Sequence, residues 1–115
     1  MKLEVDTAQQ LLAKHRAGFS KPCHEANFIG LFRHGTLEIE ICKPNKIDLQ
    51  RPHDRDEIYF IVSGSGLFEH NGEREAFTPG DVIFVPAGDG HRFVEFSDDF
   101  VTWVMFYGPV GGEAL

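Results

Sequence analysis

Three residues of this 115-residue chain have types and positions that could together hold a cation. His53 and Glu57 stand four apart in "RPHDRDEIYFIVSG" (Arg51–Gly64), and His91 lies in "GDVIFVPAGDGHRFVE". Two imidazoles and a carboxylate form a donor set that divalent first-row metals favour, with positions left open for water or substrate. An ion so held can polarise a carbonyl or activate a bound small molecule. Taken singly, each residue has an ordinary explanation: His53 reads as a solvated histidine in a charged turn, and Glu57 as a strand-start carboxylate. The chemistry requires distant parts of the chain to meet at one point.

The elements that would bring them together are β-strands. Glu57, Tyr59 and Ile61 alternate with Ile58, Phe60 and Val62, so one face of a strand carries Glu57. His91 opens "HRFVEF", with Phe93 and Glu95 expected on its face. Leu37, Ile39 and Ile41 alternate with Glu38, Glu40 and Cys42 after a turn at His34–Gly35, and Lys43 to Pro52 reads as a loop. Gly64 and Gly66 mark a bend, Asn71–Gly72 a hairpin, and Pro86 to Gly90 a further turn. "DFVTWVMFYG" closes the series, and "PVGGEAL" reads as a frayed tail. The helix candidate is "DTAQQLLAKHRAG", capped by Asp6 or Thr7 and followed by Gly18. Short strands at intervals of roughly 8–12 residues predict one sandwich or barrel. Several of them ("IYFIV", "VIFV", "FVTWVMFY") are apolar on both faces, which predicts a filled lumen on one side and a homodimer contact on the other.

Composition narrows the partners. A net charge of −7 with no basic tract disfavours nucleic acid and anionic membranes. No apolar run approaches the roughly 20 residues of a membrane span, and "MKLEVDTAQQ" lacks a signal-peptide core, so a soluble, cytoplasmic protein is expected. Two cysteines, Cys23 and Cys42, make no disulfide framework. His15, His24, His34 and His70 read as surface or locally hydrogen-bonded histidines, and Asp54, Arg55 and Asp56 as a solvated turn.

Two stretches go further. In the first, His53, three residues, Glu57, six residues and Gly64 follow one another; in the second, Gly80, five residues, Pro86, Ala87, Gly88, two residues and His91. Here the chain resembles the cupin superfamily, whose motifs read G-x5-H-x-H-x3,4-E-x6-G and G-x5-P-x-G-x2-H-x3-N. The resemblance spans residues 28–107 and implies an all-β, cupin-type jelly-roll β-barrel (double-stranded β-helix) with a short N-terminal helix. The corresponding parse is 1–27 helix and lead-in, 28–107 barrel, 108–115 tail. It implies that His53, Glu57 and His91 ligate a divalent metal ion (Fe, Mn, Ni or Zn). Two departures stand out: Arg51 where the family has its first histidine, and Glu95 where it has asparagine. Arginine has no lone pair to give. Either Gln50 completes the site through its carbonyl oxygen, or Arg51 enters the cavity and pairs with Glu57 or an anionic substrate.

The resulting expectation is a small metal-binding cupin with a pocket for a small polar or aromatic molecule. If catalytic, it would be a metal-dependent oxidoreductase of dioxygenase type or an isomerase, with Glu57, Tyr59 and Glu95 as candidate catalytic groups. The alternatives are a non-catalytic small-molecule binding or sensing module, and a purely structural oligomerisation domain.

Overall fold

The computed structural model describes residues 1–15, 26–44 and 52–114, and deeper and shallower burial alternate residue by residue over 57–62 and 91–94. Among the described residues, one helix, α1 (Val5–His15), precedes eight strands: β1 (Ala26–His34), β2 (Leu37–Pro44), β3 (Asp56–Ser63), β4 (Gly66–His70), β5 (Glu73–Phe77), β6 (Val82–Val85), β7 (His91–Val94) and β8 (Val101–Tyr107). They form two antiparallel sheets, ordered β1-β2-β8-β3-β6 and β5-β4-β7. The all-β jelly roll expected from the sequence is what the chain adopts. No described helix is long and apolar enough to cross a membrane.

The inner faces meet over a core of Tyr59, Ile61, Phe68, Phe77, Val85, Phe93, Phe100 and Val104. Burial of such aromatic and branched side chains is the main favourable term holding the two sheets together. Tyr59, Phe68 and Phe93 pack with ring centroids 4.8–5.8 Å apart, edge-on or tilted, directly beneath the position of His91. A second cluster lies outside the larger sheet, where Ala8 and Leu12 of α1 cover Ile41 and Val101.

Tight turns set the register. Asn71 and Gly72 take φ of 51° and 87° between β4 and β5, the hairpin that the Asn-Gly pair announces. Gly64, at φ +87°, lies against the Phe100 backbone, where an added Cβ would approach Phe100 Cα to 2.5 Å. No side chain fits there, which gives the glycine a packing reason.

Two expectations fail. The frayed tail is instead anchored: Gly111 N–H donates to Asp54 O (2.6 Å) and Glu113 N–H to the Asp56 carboxylate (2.9 Å). The solvated turn at Asp54–Asp56 is only partly so. Asp54 is exposed, but Asp56 is 5% exposed and Arg55 half-buried. Both errors come from contacts between residues 17 to 57 positions apart, which local patterning does not register.

Candidate metal centre

His53 stands in the lead-in to β3, Glu57 on that strand's inner face, and His91 at the first position of β7 in the other sheet. One donor atom from each lies within 4.8 Å of the other two. Glu57 Oε1 is 3.0 Å from His91 Nε2 and 3.7 Å from His53 Nε2. Glu57 and His91 are buried, while His53 is partly open to solvent and forms the mouth side of the cluster.

Backbone contacts fix the tautomer of His91. Its Nδ1 lies 3.0 Å from Asp89 O, and since a carbonyl only accepts, Nδ1 carries the hydrogen. If the ring is neutral, it presents the Nε2 lone pair towards Glu57 Oε1. Two acceptors at that separation repel unless positive charge, a metal ion or a proton, lies between them. Glu57 Oε1 is buried with no hydrogen-bond donor among the described residues. Leaving a buried carboxylate oxygen so costs several kcal/mol, on the order of what a bound cation returns. The donor set and the orphaned oxygen both fit a divalent ion.

The turn that presents His91 is held from two sides. Gly88 N–H donates to His53 O (2.7 Å) and Ala87 N–H to Asp56 Oδ1 (2.9 Å). From the hairpin tip, Asn71 N–H donates to Gly90 O, His70 Nε2 pairs with Asp89 Oδ2 at 2.7 Å, and Asn71 Nδ2 donates to the same oxygen. Such partners orient ligands and are part of a metal site's design. His70, read from sequence as a surface or locally hydrogen-bonded histidine, is half-buried and bonds to a residue 19 positions away.

At the mouth, the Phe106 ring lies edge-on to His53 (centroids 5.1 Å apart) and beneath the Arg55 guanidinium (5.6 Å). Arg55 donates to Thr36 O and to Glu38 Oε2, both at 2.7 Å, and Arg33 pairs with the other Glu38 oxygen. The Arg33 hydrogen bonds, with Arg55 adding to them, hold the Glu38 carboxyl below its usual range against the opposing effect of burial. Backbone N–H bonds from Glu113 and Ala87 do the same for Asp56.

Among the other sequence candidates, Tyr59 is fully buried beside the cluster, its ring centroid 6.0 Å from that of His91. Glu95 departs from expectation. It follows the last residue of β7, takes φ 50° and is exposed, so the alternation that would have placed it with His91 and Phe93 ends one residue early. Gln50 and Arg51, like Cys23 and His24, lie outside the described residues. Sequence reading missed Asp56 and Asp89 as partners of the site, whereas Phe106, an aromatic at strand spacing, reads as core with a place in a ligand pocket as its alternative. Asp89 has a local signal, two residues before His91 in the turn; Asp56 has none.

Comparison with known proteins bears on the family and the fold. A family model described as Cupin domain matches residues 38–107. The chain is 40% identical over 62 residues to an uncharacterised protein of Streptomyces coelicolor, covering 54% of this chain and 59% of that one. It is 33% identical over 100 residues to an acireductone dioxygenase of Bacillus thuringiensis, covering 68% and 58%. The match thus spans less than two thirds of the length of either relative. Among solved structures, KdgF from Halomonas superposes with a TM-score of 0.65 at 22% identity, over 77% of this chain and 82% of the other.

Proposed function

The chain belongs to the cupin family, and on that premise we propose that it is a metal-dependent small-molecule cupin whose centre is His53, Glu57 and His91. The observation that carries the reading is the buried Glu57 Oε1, without a hydrogen-bond donor among the described residues and 3.0 Å from His91 Nε2. A divalent ion bound there would supply Lewis acidity and, for iron or nickel, a route to dioxygen chemistry.

The residues of this chain have separate tasks. Asp89 O holds the His91 ring in the tautomer that offers Nε2. Tyr59, Phe68 and Phe93 close the floor beneath it and exclude water from that side. The open side lies at His53, where Phe106 and Arg55 line the approach, suited to a small polar or aromatic ligand. Relatives that are acireductone dioxygenases favour an oxidoreductase of dioxygenase type over an isomerase.

Metal content of protein purified without chelator or affinity tag tests this. About one equivalent of Fe, Mn, Ni or Zn, followed by oxygen consumption with acireductone as probe substrate, is the expected result. A centre that stays empty on titration with all four ions overturns it.

One observation favours a second reading. A proton on His91 would also satisfy the 3.0 Å pair with Glu57, giving a metal-free binding or sensing barrel. In either reading the protein works in the cytoplasm, where the buried thiol of Cys42 would stay reduced. It does so as a homodimer, for which the outer face of β3 and β6 offers Phe60, Val82 and Phe84 at 42, 61 and 49% exposure. Light scattering that gives a monomer at high micromolar concentration would contradict the dimer.

A further inference from the structure

Asp56 sits directly before Glu57, and strand alternation turns its side chain away from the centre. It is nevertheless 5% exposed, and both its carboxylate oxygens accept backbone hydrogen bonds. Oδ1 takes the Ala87 N–H, four residues before His91, and Oδ2 takes the Glu113 N–H, each at 2.9 Å. Two further bonds run parallel to these: Gly88 N–H to His53 O and Gly111 N–H to Asp54 O. One carboxylate therefore joins three segments. These are the lead-in with His53 and Glu57, the turn that presents His91, and the stretch Pro109–Glu113.

The third segment is shaped for this contact. Gly112 has φ +88°, and a Cβ there would lie 2.9 Å from Asp56 Oδ1 and 3.1 Å from the Ala87 Cβ. Glycine is required twice over, for its backbone conformation and for the room it leaves. Gly112 N–H closes the turn onto Pro109 O (3.0 Å).

We propose that Asp56 is a positioning residue, clamping the two ligand-bearing segments and Pro109–Glu113 into one unit whose closure sets the metal affinity of the centre. The proposal rests on the metal-centre reading above. Its physical basis is that the ligands come from two sheets, so the ion's donor geometry is only as well defined as the link between His53–Glu57 and His91. Asp56 supplies that link at the backbone, and Gly112 seals it from outside. Outer-shell contacts of this kind typically carry roughly 10–100-fold in metal affinity.

The test compares wild type with Asp56→Asn, Asp56→Ala, Gly112→Ala and the double variant Asp56→Ala/Gly112→Ala. Mn²⁺ and Zn²⁺ affinities are measured separately by calorimetry, and amide exchange at Ala87 and Gly88 is followed in metal-free protein. Asp56→Ala and Gly112→Ala are each expected to speed exchange at Ala87 and to weaken metal binding by about 10–100-fold. Asp56→Asn keeps one acceptor oxygen and should fall between these and wild type. The double variant should be no worse than Asp56→Ala alone, because both changes open the same clamp.

A merely structural role lowers the melting temperature but leaves the affinity of the folded fraction unchanged. That result, or losses that add in the double variant, overturns the proposal. If Asp56→Ala fails to fold, Gly112→Ala and Asp56→Asn decide alone. Wild type that binds no ion overturns the metal-centre reading itself. Wild type that binds, with variants that bind equally well, overturns only the clamp.

Discussion

Glu57 and His91 belong to different sheets, yet Oε1 of one stands 3.0 Å from Nε2 of the other. Neither β3 nor β7 alone brings these two side chains together; the closed jelly roll does. The core rings of Tyr59, Phe68 and Phe93 pay for bringing a carboxylate and an imidazole together where water is scarce. An arrangement of that kind is unfavourable in the absence of a cation.

Glu57→Gln separates the two ways of supplying that positive charge. The amide keeps the shape, removes the charge and can donate to the His91 lone pair. If the centre is built for a metal, the metal-free variant should be more stable than metal-free wild type by about 1–3 kcal/mol. It should also lose the stabilisation that added metal gives wild type. A protonated His91 predicts the opposite sign, since the variant would break a buried ion pair. Denaturant melts with and without Zn²⁺ read both quantities.

His91→Ala should abolish high-affinity metal binding while the circular dichroism of the barrel persists. The loss should exceed the roughly 10–100-fold that an outer-shell change costs, because a ligand is gone. Unchanged metal content in a folded His91→Ala protein would contradict the ligand assignment.

Much of the centre was legible before the fold. His53 and Glu57 at four-residue spacing, and His91 after a Gly/Pro turn, are local patterns, and period-two alternation correctly puts Glu57, Tyr59 and Ile61 on the inner face. Alternation fails at Glu95 because a left-handed backbone at φ 50° ends the strand, and nothing in "HRFVEF" marks that break. The anchored stretch at Gly111–Glu113 was illegible for a different reason: its partners, Asp54 and Asp56, lie more than fifty residues earlier. Asp56 looked like one more charge in an acidic turn, and only the folded chain shows its oxygens facing amides. Phe106 reads from sequence as core or pocket lining, and the fold sets its ring against His53 and Arg55.

Acid stability offers a test at the mouth. Hydrogen bonds from Arg33, with support from Arg55, hold the Glu38 carboxyl below its ordinary value of 4.5 despite partial burial. A carboxyl depressed in the folded state contributes stability that is present above its unfolded value and lost as pH falls through its folded one. Glu38→Gln should therefore lower the melting temperature at neutral pH and flatten its decline below pH 4.5, relative to wild type. Parallel acid limbs in the two proteins would show that the cluster adds nothing to folding.

Anomalous scattering from crystals of protein purified without chelator or tag puts the central claim to its most direct trial. The account predicts one ion about 2.0–2.2 Å from an imidazole nitrogen of His53, an imidazole nitrogen of His91 and a carboxylate oxygen of Glu57. An ion bound elsewhere, or crystals soaked in Fe, Mn, Ni and Zn that show no anomalous peak between these three side chains, would contradict it.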